Sequence, residues 1–395
     1  MHDRRKSKSK LRILLLVETS GIYGRRIIEG ISRYALENGN WILFLEDRGL
    51  QDKEPYWLRN VQCDGIITRT IYRNAASIIE NLNIPFVELL GDGKNFKADI
   101  YCDPESLAKM AGEHFLERNL RHFAFITIGQ VWWAREYAEY FQSYLGERGY
   151  ECQISPFARI KNAPSLPMIF ESQTEHALVR WLRHLPKPIG LLCPSDTQAV
   201  FLANLCQTCG IDIPNEIAIL GIGDNNLLCK TATPLISSIF VDGQKTGYEA
   251  AKLLLKRIEG DTEPALPIKI SPSFVVARQS TDFIAVSDPD ISKAAQFIRD
   301  QVADRITVND VANHVHLSAR TLNRKFQEHF GSTPEQEILR VRMEWAKSLL
   351  RDTSLGVREI SEKIGYSTPE YFIRAFRLSA GMTPKQYRQT LQSGQ

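Results

Sequence analysis

Short apolar runs alternate with amphipathic stretches through the first 280 residues of the chain. Leu11–Val17 is a compact apolar run, and a polar turn separates it from an amphipathic stretch at Arg25–Asn38. The same order recurs where Ile189–Cys193 precedes the apolar helical stretch Thr197–Cys209. Short apolar runs separated by helical patterns are typical of a parallel α/β sheet. Roughly ten such strands are too many for one doubly wound unit, so the pattern predicts two lobes with a break near Phe125–Trp133.

Strand signals end near Pro289, and the chain continues as helices separated by short turns. Val308–His314 predicts a short helix, and a turn leads from it to Ser318, a residue type that favours a helix N-cap. Leu322 and Phe326 stand four positions apart and define the buried face of the next helix. This succession is typical of a helix-turn-helix unit. Its outward polar side chains are Arg320, Asn323 and Arg324.

A second unit of the same kind follows, shifted by about 50 residues. Val357–Ile364 predicts its first helix, and either Ser367 or Thr368 predicts the N-cap of its second helix. Phe372 and Phe376 repeat the four-residue apolar spacing of that second helix. Its outward side chains include Glu370 and Arg374.

The segment between the two units predicts one connecting helix. Pro334–Arg351 carries apolar residues at helical spacing and would be ~25 Å long. Successive faces of the DNA major groove lie ~34 Å apart. Two recognition helices on a rod of this scale could therefore contact adjacent turns of one duplex without dimerisation.

Composition and charge divide the chain at similar places. A length of 395 residues with 43% hydrophobic residues fits a folded protein of two or three domains. The net charge of +3 is the sum of +5 in residues 1–12, −5 in the middle and +3 in residues 285–395. We predict a basic disordered leader at 1–10, a two-lobed ligand-binding domain at 11–280, a linker at 281–289 and an all-α domain at 290–392.

The sequence predicts neither a membrane segment nor a cofactor. Its apolar runs fall far short of the ~20 residues that a membrane helix needs, and the N-terminus lacks the apolar region of a signal peptide. Among the seven cysteines only Cys206 and Cys209 are close in sequence, without the further ligands of a zinc site. We therefore expect free thiols in a cytoplasmic protein that binds no metal.

Polar residues cluster where the predicted strands of the α/β body end, which is where such sheets collect ligands. Charged and hydroxyl side chains near the aromatic residues Trp132 and Trp133 suit a polyol, because carboxylates and guanidinium groups bind vicinal hydroxyls. For Asp103 and Asp196, helix capping is the favoured interpretation, whereas ligand binding is favoured for Arg135 and Asp224. The predicted ligand contacts are Tyr23, Arg25, Asp103, Arg135, Ser195 and Asp224.

The C-terminal hundred residues resemble the AraC-type double helix-turn-helix domain. The segments that carry the resemblance are Leu317–Phe326, Ile360–Tyr366 and Gly381–Arg388, whose Gly-x-Thr-Pro-x-x-Tyr-Arg pattern is specific to that family. The resemblance implies base contacts by arginine to guanine, by asparagine to adenine and by glutamate to cytosine. The positions that it implies are Arg320, Asn323, Arg324, Glu370 and Arg374.

The body is similar to the sensor of LacI-type regulators and type I periplasmic binding proteins. Cys63–Ile66, Ala218–Asp224 and Gly247–Lys252 fall where that family has its own versions of these motifs. The fold implied is a two-lobed α/β sensor followed by an all-α double helix-turn-helix domain. Arg135 corresponds to the family's sugar-binding Arg, and Asp224 corresponds to its sugar-binding Asp. Ser195 corresponds to its strand-end Asn or Ser.

These resemblances imply a ligand-gated transcription regulator. The implied partners are a double-stranded DNA operator, a small sugar such as the pentose xylose, RNA polymerase for activation, and a second copy of the chain. Control by another small ligand is an alternative. Phosphorylation is a further alternative, although only Glu18 follows the first strand where a receiver domain needs adjacent acidic residues.

The enzyme alternative is a DNA-repair alkyltransferase, which can share this helix-turn-helix but needs a zinc site with four cysteines. The cysteine spacings do not provide that site. Hydrolase, dinucleotide-binding and phosphate-binding loop motifs are also missing from the sequence. We therefore expect that the protein is not an enzyme.

Overall fold

The computed structural model describes twelve stretches of the chain. The predicted leader lies outside them except for Lys10, as do residues 284–287 of the predicted linker. The chain forms two compact units that divide between Asp282 and Phe283. The described residues are 10–38, 40–49, 52–53, 55–69, 73–91, 98–127, 132–159, 173–261, 266–283, 288–301, 304–353 and 355–393.

The first unit opens with a parallel sheet that forms the core of its first lobe. In chain order this lobe contains β1 (Leu11–Leu16), α1 (Ile22–Asn38), β2 (Trp41–Leu45), β3 (Gly65–Thr68), α2 (Arg73–Asn81), β4 (Phe86–Glu88) and β5 (Ile100–Cys102). The first four strands are parallel in the order β2-β1-β3-β4. Ile13 and Leu15 of β1 pack with Ile67 of β3 and Ile27 of α1 in its core.

The second lobe contains a larger sheet. Its elements are α3 (Pro104–Leu116), β6 (His122–Phe125), α4 (Trp132–Gly146), β7 (Cys152–Ile154), α5 (Gln173–His184), β8 (Ile189–Leu192), α6 (Asp196–Thr208), β9 (Ile217–Ile222), α7 (Asn226–Thr231), β10 (Ser237–Phe240) and β12 (Phe274–Val276). The strand order is β12-β10-β9-β8-β6-β7, with only β12 antiparallel to its neighbour. The two-sheet architecture confirms the two-lobed prediction.

The chain crosses between the lobes more than once. After β10 it returns to the first lobe as α8 (Gly243–Ile258), which packs on α1, and as β11 (Ile268–Ile270), which pairs with β5. The α1–α8 contact depends on glycine, because a Cβ at Gly30 would lie 2.0 Å from the Gln244 carbonyl oxygen. A Cβ at Gly247 would lie 1.9 Å from the Ile27 carbonyl oxygen. The two helix backbones therefore approach closely and join distant parts of the chain.

The predicted break near Phe125–Trp133 is wrong. The first crossing occurs at Asp103, because α3 already packs on α4 and on β10 of the second lobe. Phe115 of α3 fills the space that a Cβ at Gly190 of β8 would need. The sequence pattern could not reveal this crossing, since α3 has the same amphipathic character as helices that stay within one lobe.

The second unit is entirely helical in its described residues. Its helices are α9 (Pro289–Asp300), α10 (Val308–His314), α11 (Ala319–Phe330), α12 (Pro334–Asp352), α13 (Val357–Lys363), α14 (Pro369–Ala380) and α15 (Pro384–Ser393). Leu322, Phe326, Phe372 and Phe376 are fully buried, as their spacing predicts. Both predicted helix-turn-helix units are thus present, as α10–α11 and α13–α14.

The long helix α12 joins the two helix-turn-helix units by contributing to both of their cores. Ile338 and Val341 pack in the first core. Met343, Ala346 and Leu350, further along α12, pack in the second core. With 19 residues, α12 is about 28 Å long, close to the predicted length.

Candidate functional site

A cavity of about 280 Å³ lies between the two lobes of the first unit. The ends of β1, β3 and β5 form one wall, and the starts of α4, α6 and α7 contribute to the other. A cavity of this size lies close to the lower end of the range for small-molecule pockets. The polar side chains in its lining include Glu18, Tyr23, Arg69, Tyr137, Ser195 and Asp196.

An ion pair between Glu18 and Arg69 dominates the first-lobe wall. Glu18 lies just beyond β1 and Arg69 just beyond β3, and these neighbouring strands bring the two side chains together. Burial is the largest influence on the pKa of Arg69 and lowers it, but the charge and hydrogen bond of Glu18, together with Tyr23 and Tyr137, leave the net pKa raised. Glu18 Oε2 and Arg69 Nε are buried and have no hydrogen-bond partner among the described residues. The pair therefore has an acceptor and a donor left for a ligand.

Asp196 provides a buried carboxyl group on the second-lobe wall. It is the first residue of α6, where the backbone dipole favours a carboxylate. Its Oδ2 accepts a hydrogen bond from the Asn225 backbone N–H at 2.5 Å, and its Oδ1 accepts one from Ser238 Oγ at 2.5 Å. Burial raises the pKa of Asp196 to about 6, despite these two bonds, which lower it. Its charge therefore changes between acidic and neutral pH.

Hydroxyl and thiol groups in the cavity stay protonated at neutral pH. Burial raises the pKa of Tyr23 to about 12 and that of Cys102 to about 12. Burial also raises the pKa of Tyr137 well above its ordinary value. The Tyr23 hydroxyl lies 3.2 Å from Thr246 Oγ1, and the Arg69 guanidinium lies 5.2 Å from the centre of the Tyr23 ring. These groups are neutral hydrogen-bond donors or acceptors.

Two of the six predicted ligand contacts line this cavity. Tyr23 does so from α1, and Ser195 does so as the N-cap of α6, where its Oγ accepts a hydrogen bond from the Gln198 N–H. Trp133, one of the two predicted aromatic neighbours, also lines the cavity. The side chain of Trp132 lies outside the described residues.

Three other predicted contacts are engaged elsewhere. Arg25 is exposed, and its Nη1 donates a hydrogen bond to the Thr19 carbonyl oxygen at 2.7 Å. Asp103 is the N-cap of α3, which agrees with the capping interpretation. Arg135 pairs with Glu139 one helical turn away at 2.9 Å, and its side chain is 83% exposed. The structure does not bring these three side chains into the cavity.

Asp224 is also outside the cavity lining, although its neighbours Gly223 and Asn225 belong to it. Its carboxylate accepts a hydrogen bond from Arg278 Nη2 at 2.7 Å, and both side chains are largely buried. The Asp224 backbone N–H donates to Ser238 Oγ at 3.0 Å, and Ser238 in turn donates to Asp196. A continuous polar chain therefore runs from the cavity wall to Arg278.

This polar chain reaches the last residues of the first unit. Ser237 Oγ donates to the Arg278 carbonyl oxygen at 3.0 Å, and Thr281 Oγ1 donates to Ser237 Oγ at 2.7 Å. His114 Nε2 lies 2.8 Å from Thr281 Oγ1, and burial lowers the pKa of His114 well below its ordinary value. Arg118 donates from Nε to the Thr281 carbonyl oxygen at 2.6 Å. The segment immediately before the boundary between the units is therefore held by buried hydrogen bonds.

Several residues of the cavity are missing from the predicted ligand contacts. Glu18 and Arg69 each follow a strand, which is the signal that selected other residues, but nothing in the sequence ranks them above their neighbours. The sequence leaves Asp196 open between ligand binding and helix capping; Ser195 is the N-cap of α6, and Asp196 lines the cavity. Tyr137 lies in the middle of α4, where no strand-end signal exists. The pairing of Glu18 with Arg69 depends on the β1–β3 contact across 51 residues.

The first recognition helix, α11, begins where the sequence predicts. Ser318 is its N-cap, with Oγ accepting a hydrogen bond from the Thr321 N–H at 3.1 Å. Arg320 is exposed. Asn323 donates its amide to the Ala319 carbonyl oxygen at 2.9 Å, and Arg324 pairs with an exposed glutamate on the same helix. Among the three predicted readers of α11, only Arg320 forms no hydrogen bond or ion pair with the described residues.

The second recognition helix, α14, differs in chemistry at the same positions. Thr368 is its N-cap, and Glu370 and Arg374 are exposed, as predicted. Between them Tyr371 is 64% exposed and Ile373 is 36% exposed. The outward side chains of α14 are therefore partly apolar where those of α11 are polar.

An acidic cluster connects α11 to the start of α9. Lys325 Nζ lies 2.6 Å from Asp288 Oδ2 and 3.5 Å from Asp290 Oδ2. Hydrogen bonding to Asp288 raises the pKa of Lys325, and the same contact lowers the pKa of Asp288. Lys325 is thus engaged with the start of α9 and is not one of the available outward side chains of α11.

The described part of the chain contains neither a candidate metal centre nor a candidate membrane-spanning helix. No group of three or more His, Cys, Asp or Glu side chains there could hold a metal ion. No helix among the described residues is long and apolar enough to cross a membrane. The seven cysteines are free thiols, and five of them are buried.

Comparison with protein families divides the chain into three matched segments. Residues 12–107 match the XylR N-terminal domain, residues 113–281 match the periplasmic binding protein-like domain, and residues 311–390 match a helix-turn-helix domain. The first two matches together cover the two-lobed unit. The third covers both helix-turn-helix units.

Similar proteins extend over nearly the whole chain. The xylose operon regulatory protein of Haemophilus influenzae is 28% identical over 389 residues, covering 95% of this chain and 98% of that protein. The protein of the same name from Escherichia coli K12 is 28% identical over 392 residues, covering 95% and 96%. A solved structure of a xylose-binding transcription activator is 26% identical, with a TM-score of 0.74, covering 97% of this chain and 99% of that chain. The chain is therefore a transcription regulator homologous to the xylose operon regulatory proteins, with a periplasmic binding protein-like domain followed by a double helix-turn-helix domain.

Proposed function

We propose that this protein is a sugar-responsive transcription regulator, and that a pentose such as xylose binds between its two lobes. The observation that carries the proposal is the buried Glu18–Arg69 pair in the cavity wall, in which each side chain has one polar atom without a hydrogen-bond partner among the described residues. The full-length relatives are named for xylose, and the similar solved structure is described as xylose-binding.

The charges around the cavity favour an uncharged ligand. Arg69 is a cation whose charge Glu18 already balances. Glu136 and Asp196 add acidic groups, and burial raises the pKa of each. A carboxylate or a phosphate on the ligand would therefore lie close to these acidic groups, and the described lining residues include no unpaired cation to balance its charge. Burying such a charge there would be unfavourable. A neutral polyol provides hydroxyl groups that both donate and accept hydrogen bonds.

The proposed ligand contacts are therefore those that line the cavity. Tyr23 and Ser195 remain from the sequence prediction, and Glu18, Arg69 and Asp196 join them. Arg25, Asp103 and Arg135 are proposed to serve local structure, because each is engaged outside the cavity. Asp224 is proposed to position Arg278 by direct contact and Asp196 through Ser238.

The DNA side of the proposal rests on the two recognition helices. Each has a capped start that presents its first-turn side chains outward, as helices that enter the major groove require. The proposed base contacts are Arg320, Asn323, Arg324, Glu370 and Arg374.

The proposed assembly is a homodimer that contacts RNA polymerase in the cytoplasm. Residues 285–395 carry 16 Lys and Arg against 13 Asp and Glu, so the phosphate attraction of one copy is modest. A second copy on the same operator raises the effective concentration of the first.

A ligand screen on the full-length protein tests the sugar half of the proposal. D-xylose, D-ribose, L-arabinose and D-glucose would be compared with D-xylonate, which has the carbon skeleton of xylose and a negative charge. At 100 times its dissociation constant a true ligand adds about 2.7 kcal/mol to the unfolding free energy. We expect that stabilisation from a pentose and none from xylonate. No stabilisation by any neutral sugar, or equal stabilisation by xylonate, would contradict this half of the proposal.

Selection from randomised duplexes tests the DNA half. We expect the protein to enrich two short conserved blocks about one helical turn apart, with enrichment altered by the stabilising sugar. Enrichment without any conserved block at moderate salt would mean that only phosphate attraction operates.

A further inference from the structure

The two recognition helices occupy equivalent positions but present different chemistry. Leu322 and Phe372 are the buried residues that align them, and both helices end at a glycine in the left-handed conformation, Gly331 at φ 65° and Gly381 at φ 72°. With this alignment Thr321 of α11 corresponds to Tyr371 of α14. Two residues further along each helix, the next outward side chain is polar in α11 and apolar in α14.

The side chains at this second position are Asn323 in α11 and Ile373 in α14. Ile373 is 36% exposed and Tyr371 is 64% exposed, so the first two turns of α14 present apolar surface to solvent. The second core packs Phe372 and Phe376 of this helix, and neither Tyr371 nor Ile373 contributes to it. These two side chains are therefore not required to fill the core.

Exposed charges surround the two apolar side chains. Glu370 precedes Tyr371, and Arg374 and Arg377 follow on the outer surface of α14. The two arginines add positive charge beside the apolar side chains, which favours a polyanion such as DNA. In the major groove, the one apolar group on a base edge is the 5-methyl group of thymine.

We propose that α14 recognises thymine through the 5-methyl groups, which Ile373 and Tyr371 contact, while α11 recognises guanine or adenine through polar side chains. The inference rests on the proposed DNA-binding function and adds base preference to it. One half-site would then be rich in thymine, and its binding energy would depend on methyl groups more than on hydrogen bonds.

Replacing thymine by deoxyuridine tests the proposal, because this change removes only the methyl group. The full-length protein would first select its preferred duplex, with and without D-xylose. Single thymines of that duplex would then be replaced by deoxyuridine in each half-site. For wild-type protein we expect a loss of about three- to fivefold in affinity for each contacted methyl in the half-site bound by α14.

Two variants assign the effect to a side chain. In Ile373→Ala the ratio of thymine to deoxyuridine affinity should fall to near one at the contacted position. Ile373→Asn should instead shift the preferred base there towards adenine, since asparagine pairs with the adenine edge. Leu378→Ala is the matched control, because Leu378 is 81% exposed on the same helix about 13 Å from its start. It should keep the wild-type ratio.

The outcomes separate this inference from the proposed function. Selective binding in which thymine and deoxyuridine are equivalent in every position would overturn the inference and leave DNA recognition intact. A methyl effect that persists in Ile373→Ala and in a further variant, Tyr371→Ala, would overturn it as well. Absence of any selective binding would remove the proposed function itself.

Discussion

Two arginines of the sensor and two arginines of the recognition helices have opposite environments in this protein. In the sensor, the side chains of Arg69 and Arg278 are 10% and 1% exposed, and each is paired with a carboxylate that is also largely buried. On the recognition helices, Arg320 and Arg374 are exposed. The same functional group is therefore a fixed part of the sensor fold and an available contact on the helical unit.

The difference matters because burial changes the consequence of losing a partner. A buried ion pair adds little net stability, yet removing one partner leaves a charge that water cannot reach. An exposed pair is worth roughly 0–1 kcal/mol, since solvent replaces the lost partner. Mutations should therefore affect folding in the sensor and recognition in the helical unit.

The largest expected effect comes from Glu18→Gln, which removes the charge that balances Arg69. We expect a loss of about 3–5 kcal/mol in the unfolding free energy of the first unit, because Arg69 stays buried and charged. Urea unfolding followed by tryptophan fluorescence is a suitable measurement, since five of the six tryptophans lie in the first 282 residues.

Arg135→Ala is the matched control for that variant, because Arg135 and Glu139 form an arginine–glutamate pair that is 83% and 62% exposed. It should change stability by less than about 0.5 kcal/mol and leave sugar binding unchanged. A second control, Glu18→Gln combined with Arg69→Met, should recover part of the lost stability by removing the unpaired charge. Equal losses of unfolding free energy in Glu18→Gln and in Arg135→Ala would contradict the distinction between buried and exposed arginines.

A smaller effect is expected from Asp196, and it depends on pH. Burial raises its pKa to about 6 from an ordinary value of 3.8, so between these values the folded protein holds a proton that the unfolded chain releases. Stability from this group therefore falls as the pH rises through that window, by up to about 1.4 kcal/mol per pH unit. Above pH 6 both states are ionised, and its contribution is constant.

The difference in unfolding free energy between the wild type and Asp196→Asn isolates this group from the other carboxylates. Asparagine retains an oxygen for the Asn225 N–H and an amide that can donate to Ser238 Oγ. The wild-type advantage should decrease from pH 4 to pH 6 and then level off. An advantage that increased over this range would mean that the folded state stabilises the charged carboxylate.

The helical unit could be predicted closely from the sequence because its determinants are local. Ser318 caps a helix that starts at the next residue, and Leu322 and Phe326 become neighbours through helical spacing alone. Thr368, one of the two predicted N-cap residues, caps α14, and the predicted burial of Phe372 and Phe376 is confirmed for the same reason. Each of these signals spans fewer than ten residues.

The cavity could be predicted only as a region. Strand ends indicate which edge of a sheet collects ligands, and Tyr23 and Ser195 were selected correctly as residues at that edge. Which strand-end side chains meet depends on sheet order and on where the chain crosses between lobes. The pairing of Asp224 with Arg278, 54 residues later in the chain, has no local signal.

The smallest effect on folding is expected for Arg320, whose loss should change recognition instead. Arg320→Ala should alter the unfolding free energy of the second unit by no more than about 0.5 kcal/mol, because its side chain is exposed. It should weaken binding to the selected duplex by about 1–3 kcal/mol and relax base preference at one position, since arginine pairs with both acceptors of guanine.

Arg358→Ala separates base recognition from general charge. Arg358 is 82% exposed on α13, the first helix of the second helix-turn-helix unit, and pairs with Glu362. Its removal should affect all duplexes alike, if at all, and leave the preferred sequence unchanged. If Arg320→Ala instead weakened binding to every duplex equally, Arg320 would contact the phosphate backbone and not a base. Exposure would then be its only difference from the buried arginines of the sensor. A relaxed preference at one base pair would show that exposure on a recognition helix serves sequence discrimination.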